Sequence, residues 1–117
     1  MFKKNAHYKC ISITEAKATV QSKNAVFVDI RDESSFLKNH IPNAIHLTQK
    51  SLYSYLSNKK KDDHIIVYCY HGNSSKDAAE FLTKQGFQKV YSLDGGFSEY
   101  VQSETELQNN NEAREVL

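Results

Sequence analysis

One cysteine and the residues that follow it carry the clearest chemical pattern in the chain: Cys69-Tyr70-His71-Gly72-Asn73-Ser74-Ser75-Lys76. The run Ile65-Ile66-Val67-Tyr68 leads directly into the cysteine. After the loop, Ala78, Ala79, Leu82 and Gly86 repeat with a helical period. The order is therefore a buried strand, a tight loop and the start of a helix. A thiol at the C-terminal end of a strand, facing a helix N-terminus, sits where α/β proteins place their chemistry. Loop amides can converge on an anion there, and the helix dipole favours negative charge. The same field lowers a thiol pKa from its usual ~8.5 towards neutrality. Gly72 relaxes the backbone, and Asn73, Ser74 and Ser75 are helix-capping types. A purely structural cysteine needs no such cradle. Cys69 is therefore read as a nucleophile and Tyr70 to Ser75 as an anion-binding loop.

A chain of 117 residues supports one domain with a modest core. Its 39% hydrophobic and 25% charged residues are those of a globular protein. The net charge of +1 favours neither nucleic acid nor acidic membrane as a partner. The apolar runs are too short to span a bilayer, and Met1 to Tyr8 has no apolar signal-peptide core, so a cytoplasmic protein is expected. Two cysteines, Cys10 and Cys69, do not make a disulfide framework and are expected as thiols, Cys10 in a structural role. The five histidines form no metal pattern with them, and no metal or cofactor is expected.

The elements that must position Cys69 can be read in order. Residues 1–8 read as a flexible polar arm, and Lys9 to Ser12 as a short first strand. Ser12-Ile13-Thr14-Glu15 matches a capping box and predicts a helix to about Gln21. Ala25 to Ile30 is almost continuously apolar, the mark of a parallel strand covered on both faces. A short helix over Ser34 to Asn39, a turn at His40-Ile41-Pro42-Asn43 and a strand over Ala44 to Leu47 follow. Thr48 can cap a helix to about Leu56, and Asn58 to Asp63 is a solvated connection. Beyond the central strand and loop, a helix from Ser75 to Gln85 ends on Gly86 as its left-handed cap. A last strand, Lys89 to Ser92, turns through Asp94-Gly95-Gly96 into a helix from Phe97 to about Gln102. Residues 103–117 show no packing pattern and read as a disordered or loosely helical tail, leaving 9–102 as the domain. Strands alternating with helices predict an α/β protein, a parallel sheet with helices on both faces.

Four segments together resemble the single-domain rhodaneses, bacterial thiosulfate sulfurtransferases in particular. They are Cys69 to Lys76, Val28-Asp29-Ile30-Arg31-Asp32, His40-Ile41-Pro42-Asn43-Ala44-Ile45-His46-Leu47, and Val90-Tyr91-Ser92-Leu93-Asp94-Gly95-Gly96-Phe97. The resemblance covers about Lys9 to Gln102. It implies a rhodanese-like sheet of five parallel strands in the order 1-5-4-2-3. It also implies transfer of sulfane sulfur from thiosulfate, through a Cys69 persulfide, to a thiophilic acceptor. That acceptor is cyanide in assay and a dithiol protein such as thioredoxin in the cell. The implied strand order sets Arg31 near the edge of the site, where it could touch an anion. Its simpler reading is an ion pair with Asp32, Glu33 or another local carboxylate. The loop lacks the arginines many thiosulfate:cyanide sulfurtransferases carry there. Asp77, which replaces a glycine of the bacterial relatives, is read as pointing to solvent.

Two other classes share the implied fold. Cysteine phosphatases and arsenate reductases use Cys-x5-Arg, whose arginine neutralises the oxyanion. Here the residue six after Cys69 is Ser75, so a transferring phosphoryl group lacks its main cation. A non-catalytic binding module of the same fold usually lacks the nucleophile, which this chain has. Nothing in the sequence sets the oligomeric state.

Overall fold

The computed structural model describes residues 7–116, with side chains described as far as Asn110. Ten elements alternate along the chain: β1 (Lys9–Ile11), α1 (Ile13–Ser22), β2 (Ala25–Asp29), α2 (Glu33–Lys38), β3 (Ile45–His46), α3 (Gln49–Asn58), β4 (His64–Tyr68), α4 (Ser74–Lys84), β5 (Lys89–Leu93) and α5 (Gly96–Val116). The strands form one parallel sheet in the order β1-β5-β4-β2-β3. The fold is thus the rhodanese-like α/β sheet that alternation and resemblance led us to expect.

β4 is central, and Ile65, Ile66, Val67 and Tyr68 are fully buried. That is why the strand reads as continuously apolar rather than alternating. One sheet face carries Phe27, Ile66, Tyr68 and Leu93 and packs on Ile13 and Ala16 of α1 and Phe97 of α5. The other carries Val28, Ile65, Val67 and Val90 and packs on Ala79 and Leu82 of α4, with Tyr55 and Leu56 of α3 beside them. Burying each such aliphatic side chain is worth about 1.5–3 kcal/mol. The chain leaves β2 towards β3 and leaves β4 towards β5, on opposite sides. The crevice between the C-terminal ends of β2 and β4 is therefore the switch point where such sheets bind ligands.

Local signals explain most boundaries. Ser12 and Glu15 form the expected capping box: the Glu15 amide donates to Ser12 Oγ at 3.1 Å, and the Ser12 amide to Glu15 Oε1 at 2.9 Å. Asp32 caps α2 by accepting from the Ser35 amide, and Thr48 caps α3. Gly86, at φ +102°, closes α4, and the amide of buried Phe87 returns to Leu82 O at 3.2 Å.

The two ends of the chain depart from the polar pattern of the sequence. Residues 1–6 of the expected arm lie outside the described residues, but Tyr8 packs against the Val28–Ile65 cluster. The final helix, expected to start at Phe97 and to lead into a disordered or loosely helical tail, runs to Val116. After Gly96 the chain has no glycine or proline to break it, and Glu, Gln, Leu, Ala and Arg are good helix formers. At the domain, Lys17 of α1 donates to Ser103 Oγ at 3.2 Å and pairs with Glu104. An exposed pair of this kind contributes at most about 1 kcal/mol.

Candidate active site

Cys69 is the first residue past β4, at the switch-point crevice, and is 7% exposed. Its Sγ accepts hydrogen bonds from the amides of Gly72 and Ser75, each at 3.2 Å. Two N–H groups of the expected loop thus point at the sulfur, and Ser75 lies in the first turn of α4, where the dipole is positive. Burial pushes the thiol up; the Ser75 side chain, the Ser75 amide, and the amides of Gly72 and His71 pull it down further. The result is a thiol below its ordinary value, with no cation in the loop. The amides of Tyr70, Asn73 and Ser74 donate to no protein acceptor among the described residues.

The remaining loop residues divide by role. Ser75 is fully buried and its Oγ lies 2.8 Å from Ser92 Oγ on β5, which ties the helix start to the neighbouring strand. Asn73 occupies the N-cap position of α4, but its side chain makes no cap bond. Its capping type therefore does not act as expected: its backbone is in the helical region (φ −90°, ψ −55°), whereas a capping side chain needs an extended one. Ser74 and His71 are exposed, and the His71 ring packs against Tyr70, centroids 5.2 Å apart. The His71 imidazole makes no hydrogen bond to the sulfur among the described residues. Asp77 is exposed, as read from the sequence.

What holds the loop open was seen in the sequence only as a turn. The amides of Phe97 and Ser98, at the start of α5, donate to the carbonyls of Cys69 (2.8 Å) and Tyr70 (3.0 Å). Both carbonyls are thereby committed to α5, on the far side of the peptide from the sulfur's donors. Gly96, at φ +59°, makes this approach possible: a Cβ there would stand 2.5 Å from Cys69 O and 2.7 Å from Tyr70 O. Gly72, at φ +97°, abuts the same turn, and its Cβ would meet the Gly95 amide nitrogen at 2.9 Å. The signal in the sequence was the adjacent pair Gly95-Gly96 after a strand, which marks a turn but not its partner. Gly96→Ala is expected to push the loop off α5. The backbone strain alone costs roughly 1–3 kcal/mol, and sulfur loading should slow because the Cys69 donors lose their frame. A melting curve and a loading time course on this variant check both; an unchanged loading rate would show that the clamp is not needed.

Arg31 lies beneath the loop. Its guanidinium meets Asp29 through Nε (3.1 Å to each carboxylate oxygen) and Nη2 (2.8 Å), and Nη2 also donates to Asn39 O at 2.6 Å. Its partner is Asp29, not the adjacent Asp32 or Glu33, because Asp32 is turned outward to cap α2. The Arg31 side chain is only 4% exposed and lies 4.0 Å from the Phe97 ring centroid and 5.4 Å from that of Tyr70. Its charge is spent inside the protein, so it braces the two aromatic residues that follow Cys69 and Gly96. Tyr68 completes the layer: its hydroxyl accepts the Ile41 amide at 3.1 Å, and burial, then Asp29, holds the phenol well above its ordinary value.

A buried cysteine cradled by amides at this switch point agrees with what comparison finds: residues 12–103 match the Rhodanese-like domain family, and the chain belongs to it. Among solved structures, a rhodanese-related protein from Thermoplasma volcanium aligns over 82% of this chain and 93% of its own, at 24% identity and a TM-score of 0.69. A rhodanese-like domain protein from Staphylococcus aureus aligns over 79% and 90%, at 25% identity and 0.69. The human single-domain sulfurtransferase TSTD1 aligns over 80% and 95%, at 19% identity and 0.70.

Proposed function

We propose that this protein is a thiosulfate sulfurtransferase that carries sulfane sulfur on Cys69. The observation that carries the reading is the sulfur itself, lowered in pKa and held by two amides where no side-chain cation is present. The Cys69 thiolate attacks the outer sulfur of thiosulfate. The S–S bond of the donor breaks, sulfite leaves with the bonding pair, and Cys69-S-S⁻ forms. Sulfite is a good leaving group, so no general acid is needed. The persulfide puts its negative charge in the same cradle as the donor, where oriented amides stabilise it without reorganisation. A thiophile then takes the outer sulfur and returns the thiolate: cyanide becomes thiocyanate in assay. A dithiol protein such as thioredoxin serves as acceptor in the cell, and a reducing cytoplasmic compartment suits a chain whose two cysteines, exposed Cys10 and buried Cys69, are free thiols.

The phosphatase alternative is disfavoured by the same geometry. Ser75, at the position where those enzymes carry arginine, brings an amide and a hydroxyl shared with Ser92, and no positive charge for an oxyanion. Treating the protein with thiosulfate and measuring its intact mass tests the proposal: one added sulfur atom, removed by cyanide, is expected, together with negligible turnover of an aryl phosphate. No mass gain, or Cys69-dependent phosphate release at a comparable rate, would overturn it.

A further inference from the structure

At the end of the sheet away from Cys69, the face packed by α1 and α5 finishes in two lysines set beside a histidine and a tyrosine. Strand register sets this arrangement. His64 of β4 lies directly beside Lys89 of β5, and Tyr91, two residues further on, lies beside Lys9 of β1. Register partners point to the same face, and residues two apart return to it. His64, Lys89, Tyr91 and Lys9 therefore share one surface. They line an open cavity of about 250 Å³, together with His7, Gln88 and Val90. Its aromatic wall is fixed: the His64 and Tyr91 rings lie parallel at 6.0 Å, and His64 Nδ1 is 3.2 Å from the Tyr91 hydroxyl.

Lys9, whose register partner is Tyr91, stands diagonally across from Lys89 on the neighbouring strand, where a carboxylate between them would answer their like charges. No carboxylate among the described residues lines the cavity. Among the described residues, Lys9 and Lys89 make no ion pair, nor does Lys23, which follows α1 nearby. Burial first, then the charges of Lys89 and Lys23, hold the His64 imidazole below its ordinary value; Asp63 and Asp62 act in the other direction and do not cancel them. Asp63 is engaged elsewhere, with Lys59 Nζ at 3.7 Å and the Lys60 amide at 3.3 Å. With a net charge of only +1 on the whole chain, this concentration is local rather than a general basicity.

We propose that this cavity binds a small phosphate-type oxyanion carrying two or more negative charges, held by Lys9, Lys89 and His64. The size of the concavity fits a compact anion. Its exposed lysines, screened one by one in salt, reward a ligand that meets several of them at once. The site lies at the opposite end of the strands from the sulfur chemistry and does not depend on it.

Titration of the full chain with sodium diphosphate, at ionic strength held constant with sodium chloride and followed by amide NMR, tests this. Saturable shifts are expected at Lys9, His64 and Lys89 to Tyr91, with the Tyr70 to Ser75 amides unmoved. The melting temperature should rise with diphosphate, because a ligand of the native state stabilises it by mass action. Inorganic phosphate, with less charge, should bind more weakly. In the double variant Lys9→Gln, Lys89→Gln, affinity should fall about tenfold, the loss of two exposed charge contacts. Its melting temperature without ligand should equal or exceed the parent's, since a repulsion is gone. Shifts confined to the Cys69 loop, shifts no larger than chloride causes, or equal affinity in the double variant would overturn the proposal. Should that variant not fold, the parent titration decides alone.

Discussion

Cys69→Ser is expected to give a folded protein that takes up no sulfur from thiosulfate. Serine nearly preserves the volume, and its oxygen can accept the Gly72 and Ser75 amides that now meet Sγ at 3.2 Å. The loop frame does not depend on sulfur, because the Cys69 and Tyr70 carbonyls are held by the start of α5. What is lost is the chemistry: an alcohol has no thiolate to attack sulfane sulfur and cannot hold a persulfide. Transfer should fall to background while the melting temperature changes by only a few degrees. Cys10 is exposed on β1, and Cys10→Ser should keep near-full activity. The pH dependence follows from the same site. Loading needs the thiolate, so its rate should fall as pH drops through the Cys69 pKa, which lies below that of an ordinary thiol. Loading of the Cys69→Ser protein, or a folded but inactive Cys10→Ser protein, would remove the single-nucleophile mechanism.

The largest stability effect is expected at Arg31. Removing it strands the Asp29 carboxylate, 0% exposed, without the three guanidinium contacts that now satisfy it. The Arg31 backbone amide, donating to Asp29 Oδ1 at 2.8 Å, would remain in place. Breaking a buried pair from one side costs about 3–5 kcal/mol. For a domain of this size that corresponds to a loss of roughly 12 °C or more in melting temperature. Arg31→Lys should recover little, because an ammonium cannot bond both carboxylate oxygens and Asn39 O in one plane. Arg31→Met with Asp29→Leu should recover more than either single change, since an apolar pair leaves no stranded charge. Thermal denaturation of the set decides it. A loss below about 1 kcal/mol in Arg31→Ala would mean that water reaches Asp29.

These two residues show where local reading suffices. Cys69 was legible because its whole context is contiguous: an apolar strand, a glycine and a helix start within a dozen residues. The Ser12–Glu15 capping box was legible for the same reason, its two bonds spanning three residues. Arg31 was legible only in part. An ion pair with a nearby carboxylate was expected, but three carboxylates compete for Arg31 within Asp29 to Glu33, and a sequence does not say which side chains face inward. Strand parity decides: Asp29 shares its face with Tyr68 and Phe27, under helices, whereas Asp32 lies past the strand and caps α2. Asn73 shows the converse. Its residue type is right for a cap, but its backbone conformation, set by the way the loop closes on β5, is wrong for one.

By itself the sequence determined the strand–helix alternation, the place of Cys69 at the end of the central strand and the glycine- and serine-rich loop after it, because each rests on periodicity or on hydrogen bonds between residues a few positions apart. Only the tertiary structure decided what makes that loop a cradle. Phe97 and Ser98 hold the carbonyls of Cys69 and Tyr70, Gly96 admits them, and Ser92 anchors Ser75. These partners are 17 to 28 positions apart along the chain and meet because β4 and β5 are neighbours in the sheet. The length of α5 also escaped the pattern, since an apolar stripe signals packing, and a helix can extend on propensity where little of it packs. Contacts of that reach have no local signature, because a residue's type sets which bonds it can make while strand order and register set which groups come within range.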